Sequence, residues 1–203
     1  NQNIVSMSYF ESVSEMCSNS NSFFFVLSFG MSVGVYYTIP TFLSQLLPTE
    51  WSALWTGWLG IGYQLAGIIG SFSAGRLCDI TQQHRAVSLA LLSGAFFSLV
   101  VLAITARVTP FGDSWTSTLR YLLGVIGSGA SLAAWNTVGL ELGTSISYPA
   151  DEAAVAGILE CAAELLGFVW VTVGGSLVVV AHAEFIFVLA AAVSLSFLLL
   201  GYS

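Results

Sequence analysis

Glu160 and Glu164 stand one helical turn apart in AGILECAAELLG, residues 156–167, a run otherwise almost wholly apolar. A spacing of four puts both carboxylates on one helix face. Such a pair can hold a cation, carry a proton or neutralise a base. Neighbouring apolar runs add aromatic rings at Tyr36, Tyr37, Tyr63 and Trp135. Each ring face attracts a quaternary ammonium by about 0.5–2 kcal/mol. An aromatic in an apolar helix can equally be packing, so the acids carry more of the inference than the rings. A third set, Gly75, Asp79 and Arg85, puts an acid and a base at the end of an apolar run. They can latch two helices in one conformation or lie in a solvated loop.

The elements holding these residues follow from composition. Of 203 residues, 56% are hydrophobic and only 7% charged, too few charges to solvate a globular surface. The expected class is an all-α integral membrane protein. Turn signals divide the chain into apolar runs at about 23–47, 52–78, 86–106, 118–142, 153–181 and 185–202. These predict six spans in one membrane domain, 23–203, after a polar, serine-rich linker at 1–22. Trp51, Trp55, Trp58 and Trp115 fall near run ends, where an aromatic belt sits. The third and sixth runs carry no charge and read as lipid-facing. A peripheral helix in every third place is what a 3+3 inverted repeat gives. The chain starts at Asn1 and stops at Ser203 in an apolar run, so a fragment of a longer protein is expected.

Depth makes the acid pair costly. If the fifth span starts near Ala153, a rise of about 1.5 Å per residue puts Glu164 roughly 16 Å deep, near the middle of a ~30 Å core. Two ionised acids there cost on the order of 5–7 kcal/mol before compensation. They must face the interior. Protonation, pairing with Arg120 or a partner outside this chain would offset the cost, and so would a bound cation. The chain has no lysine, which favours the cation.

Other classes are excluded or left bare. Four basic residues, all arginine, face eleven acids, which leaves no nucleic-acid footprint. Cys17, Cys78 and Cys161 have neither metal nor disulfide spacing, and no cofactor motif or nucleophile–base set is present, so no enzyme is expected. Arg76 and Arg85 on one side balance Arg107 and Arg120 on the other, so arginine placement leaves the orientation tied. His182 reads as a surface residue. Gly30, Gly34, Gly67, Gly70 and Ala74 have the spacing of close helix packing. Pro40 is expected to kink the first span and free a carbonyl near Tyr36.

Three stretches together resemble the carboxy-terminal half of a major facilitator transporter, in particular the feline leukaemia virus subgroup C receptor family. FGMSVGVYYTIPTFLSQLL (29–47) carries Gly30, Gly34, Tyr37, Thr41, Leu43 and Gln45 in that family's order. TGWLGIGYQLAGIIGSFSAGRLCDITQQHR (56–85) carries Ala66, Gly67, Gly70, Ser71, Gly75, Asp79 and Thr81. GLELGTSISYPADEAAVAGILECAAELLG (139–167) carries Gly139, Glu141, Tyr148, Pro149, Glu152, Gly157, Leu159 and Gly167. Two departures stand out: Glu164 replaces a substrate-contacting glutamine, and the base after Asp79 is reduced to His84 and Arg85.

The resemblance implies spans seven to twelve of a carrier for choline, ethanolamine or a like cation, working by alternating access against a missing amino-terminal six-helix half. Tyr36, Tyr37, Trp135, Glu160 and Glu164 would meet the substrate, and Asp79 and Arg85 would gate it. The bilayer would be the plasma membrane, or that of an organelle. A haem or other metabolite exporter, a proton-coupled carrier, and a non-transporting receptor or subunit are the alternatives.

Overall fold

The computed structural model describes residues 9–48, 51–108, 115–178 and 180–202, and every regular element among them is helical. In order they are α1 (Tyr9–Ser18), α2 (Ser20–Leu46), α3 (Ala53–Thr81), α4 (His84–Val108), α5 (Trp115–Ile146), α6 (Glu152–Leu177) and α7 (His182–Tyr202). The six long helices coincide with the six apolar runs to within about four residues, the usual boundary error. Polar side chains start three of them: Asn19, Ser52 and Asp151 each accept a backbone N–H of the first turn. Gln82, with φ 54°, ends α3 in the left-handed region, and its N–H bonds Cys78 O at 2.7 Å. The break expected between the third and fourth runs lies mostly outside the described residues.

Among the described residues, α2, α4, α6 and α7 are long and apolar enough to cross a membrane. α3 and α5 are longer, at 29 and 32 residues, but carry Arg76, Asp79, Arg120 and Glu141. The structure departs from the sequence reading in two places. Within the lead read as a linker, α1 packs against α2 and α6 and buries Met16. And α4 and α7, which contain the two uncharged runs, are not the most exposed. They pack on each other, and 50% of the apolar window of α7 is buried against 28% for α6. Hydropathy does not separate a side chain facing lipid from one facing another helix, because both surroundings are apolar.

Neighbours follow a pattern. α2 packs on α6 and α7, α5 on α3 and α4, α4 on α7, and α2 meets α5. Exchanging α2 with α5, α3 with α6 and α4 with α7 maps this set onto itself. Burial keeps the same register at a shift of 100 positions: Tyr63, Gly67 and Ala74 on α3 correspond to Ala163, Gly167 and Gly174 on α6. Residues 32–35 of α2 and 132–135 of α5 are likewise all buried.

Small residues make the closest of these approaches, as their spacing predicted. A Cβ on Gly34 would lie 2.8 Å from Gly167 N, and one on Gly67 would lie 2.9 Å from Ala133 Cβ. One on Gly70 would collide with the Ala130 carbonyl. The α2–α6 and α3–α5 seams therefore exist only without side chains at these positions.

Candidate functional site

α2 is the pivot. Proline lacks an N–H, so Pro40 leaves the carbonyl of Tyr36, four residues back, without its helical donor. That is the carbonyl the sequence expected to be freed, and Tyr63 Oη on α3 donates to it at 3.0 Å. Thr38 Oγ1 donates to Gly34 O and Thr41 Oγ1 to Tyr37 O, covering the neighbouring turns. Tyr63 itself is fully buried and stacks on Tyr36 with ring centroids 5.6 Å apart. Its ring is therefore a support for Tyr36 rather than a face open to ligand.

From this pivot two half-buried tyrosines diverge, their centroids 5.4 Å apart and planes tilted by 54°. Tyr37 turns to α6: its hydroxyl donates to Glu160 Oε2 at 3.3 Å, and its ring edge passes 3.8 Å from the place of a Cβ on Gly167. Glu164, one turn past Glu160 on the same face, is exposed. Among the described residues neither acid is paired with a base, so the Arg120 pairing weighed from sequence is not made. Two carboxylates beside the Tyr37 ring form a surface that attracts a cation, by Coulomb attraction and by the ring quadrupole.

Tyr36 turns the other way, its hydroxyl donating to Gln64 Oε1 on α3 at 2.9 Å. It stands at one end of an open cleft of about 880 Å³ between α3 and α5, reaching past Gln64, Ser71 and Asn136 to Arg76 and Asp79. Gln64 lies three residues before Gly67 as Glu164 lies three before Gly167, and the sequence reading did not single it out. The matching spacing to a packing glycine was the available signal. Asn136 was also missed.

Two expected roles do not fit where the side chains lie. Trp135 is fully buried; its Nε1–H donates to Ser32 Oγ at 2.7 Å and its ring packs against Phe25 and Phe29, so it is core and not a cavity face. Arg85 does not latch Asp79: its Nη2 donates to the carbonyls of Leu200 and Gly201, capping the end of α7 at 3.1 and 2.8 Å. Asp79 lines the cleft instead, together with Arg76. The acid–base contact recorded at this end joins His84 on α4 to Glu141 on α5, 3.1 Å apart. The four belt tryptophans do converge, lining a separate groove of about 690 Å³ at the amino-terminal ends of α3 and α5.

No family model matches the chain. Individual relatives do. The choline/ethanolamine transporter flvcr2a of Danio rerio is 24% identical over 173 residues, 84% of this chain and 35% of that protein. The choline/ethanolamine transporter FLVCR1 of Mus musculus is 26% identical over 176 residues, 84% of this chain and 30% of that protein. An uncharacterized MFS-type transporter of Caenorhabditis elegans, C09D4.1, is 23% identical over 145 residues, 70% of this chain and 23% of that protein. The chain thus spans about a third of the length of the first two of these relatives.

Its helices are apolar enough to span a bilayer, and the proteins it is similar to are membrane transporters, one of them of the major facilitator type. The chain is a relative of the feline leukaemia virus subgroup C receptor-related transporters, the family its motifs resemble.

Proposed function

We propose that the chain is the carboxy-terminal six-span half of a secondary carrier that moves a small organic cation of the choline or ethanolamine kind by alternating access. The observation that carries the cation is the pair Glu160 and Glu164 beside Tyr37, unpaired with any base among the described residues, on an open face of α6. An ionised acid in that position within a bilayer needs a countercharge. A cargo ammonium supplies it, and the tilted rings of Tyr36 and Tyr37 suit the alkyl groups around the nitrogen. The printed names of the relatives favour the same cargo.

Six spans follow if α3 and α5 cross beside the four more apolar helices. At about 1.5 Å per residue they measure roughly 44 and 48 Å, longer than a ~30 Å core. Their polar residues then face the cleft rather than lipid. The exchange symmetry of the neighbours and the 100-residue burial register support a 3+3 inverted repeat. The open sides of α3 and α6 would meet the missing amino-terminal half, which would bring the opposite wall of the site. Asp79 and Arg76, at the end of the cleft away from Tyr36, take the place first given to Asp79 and Arg85 as the charged gate.

The test is uptake by the complete two-half carrier in vesicles. Choline or ethanolamine should be taken up saturably, Glu164→Ala should weaken uptake more than Glu164→Gln, and the present chain alone should not transport. Uptake of a haem-like metabolite with no competition by choline would replace this reading with the exporter. Saturable uptake by the isolated chain would remove the two-half scheme.

A further inference from the structure

The acids and tyrosines on α6 and α2 attract any small cation alike, and choosing between cations needs another group. The cleft along α3 contains one. Asn136 on α5 lines it, and its Oδ1 is buried with no hydrogen-bond donor among the described residues. Of the polar groups lining the same cleft, Tyr36 Oη donates to Gln64 and Thr137 Oγ1 donates to Ala133 O at 3.3 Å. A residue serving only helix packing here would be apolar, as Ala134 and Val138 nearby on α5 are. A buried carbonyl oxygen without a donor carries its full desolvation penalty until a donor reaches it.

We propose that Asn136 is the specificity residue of this carrier, its side-chain amide accepting a hydrogen bond from a hydroxyl or primary ammonium of the cargo. This rests on the cation-carrier reading and deepens it. The two walls then divide the work: α6 with Tyr37 supplies attraction for positive charge, and α5 with α3 reads hydrogen-bond donors. A site holding an unpartnered buried acceptor favours a ligand that brings a donor, because a ligand without one leaves the acceptor as unpaired as before and gains nothing from it. Removing the acceptor should abolish that discrimination and leave charge attraction intact.

Three ammonium ions separate the two contributions. Ethanolamine has N–H and O–H donors, choline has O–H alone and tetramethylammonium has neither. Binding of each is measured on the complete carrier in vesicles of neutral lipid. The wild type should bind ethanolamine and choline roughly tenfold or more tighter than tetramethylammonium. In Asn136→Leu that preference should collapse to about twofold or less, with tetramethylammonium affinity unchanged. Asn136→Ala, which a helix accepts readily, should do the same and decides the matter if the leucine variant does not fold. An equal loss for all three ions, or no change for any, overturns the assignment of Asn136. Failure of the wild type to bind any of the three overturns the cation reading itself, and this assignment with it.

Discussion

α3 and α6 use the same burial register and differ on their open sides. Each leans on a partner through a glycine seam, Gly67 and Gly70 against α5, Gly167 against α2. Three residues before the first glycine, α3 presents Gln64 and α6 presents Glu164. One turn earlier the pair is Gly60 and Glu160. Packing positions thus repeat while charge does not: the α6 wall carries two carboxylates, and the α3 wall carries an amide with Arg76 and Asp79 far down the cleft. Close helix contact demands small residues and tolerates little else, whereas positions turned away from the seam are free to differ. The asymmetry between the walls is therefore where cargo chemistry is expected.

The sharpest way to break the comparison is to remove charge from one wall and polarity from the other. Combining Glu160→Gln with Glu164→Gln should lower cation affinity roughly tenfold or more, whereas Gln64→Leu should change it less than about threefold. Equal losses, read by direct binding to the two-half carrier, would mean the walls act alike. Between the two acids, Glu164→Gln should cost more affinity than Glu160→Gln, because Glu160 sits nearer the start of α6.

Next in size is the ring between the walls. Tyr37→Ala should lose about 0.5–2 kcal/mol, roughly two- to thirtyfold in affinity for a quaternary ammonium. Tyr37→Phe keeps the face and should keep most of the binding. The phenylalanine variant also releases Glu160 from its hydroxyl donor, so a loss as large as that of alanine would assign the role to the Tyr37–Glu160 hydrogen bond.

The two seams give a comparison of stability. Gly34→Val should lower the melting temperature of the purified carrier by separating α2 from α6, and Gly70→Val should do the same for α3 and α5. Similar shifts would support equivalent seams; a shift from one alone would break the equivalence. Smaller still, Tyr63→Phe should cost about 1–2 kcal/mol, by leaving the Tyr36 carbonyl without its donor.

Much of this arrangement was legible in the sequence. The helices stood out because apolar runs of span length are bounded by proline, glycine and charge. The seams stood out because small residues recur at helical spacing, and the freed carbonyl because Pro40 names its own orphan four residues back. Roles that depend on distant partners were not legible. Trp135 finds Ser32 across 103 positions, and Arg85 finds the end of α7 across 115 and 116. A tryptophan's type allows cage or core, and only the neighbours decide. Gln64 went unnoticed because a neutral amide among apolar residues costs far less than a carboxylate and so draws less attention.

The hydroxyl of Tyr63 on the Tyr36 carbonyl has a mechanical consequence. A helix interrupted by proline bends most easily at the residues whose ladder is already open, and here that opening is tied to α3 by one hydrogen bond. A bend of α2 at Pro40 would therefore pull on α3 through this bond, with Tyr63 acting as a clutch between the two helices. Engaged, it carries motion of one helix into the other; released, it lets the upper and lower parts of α2 turn separately, and Tyr36 and Tyr37 change their mutual angle as they do.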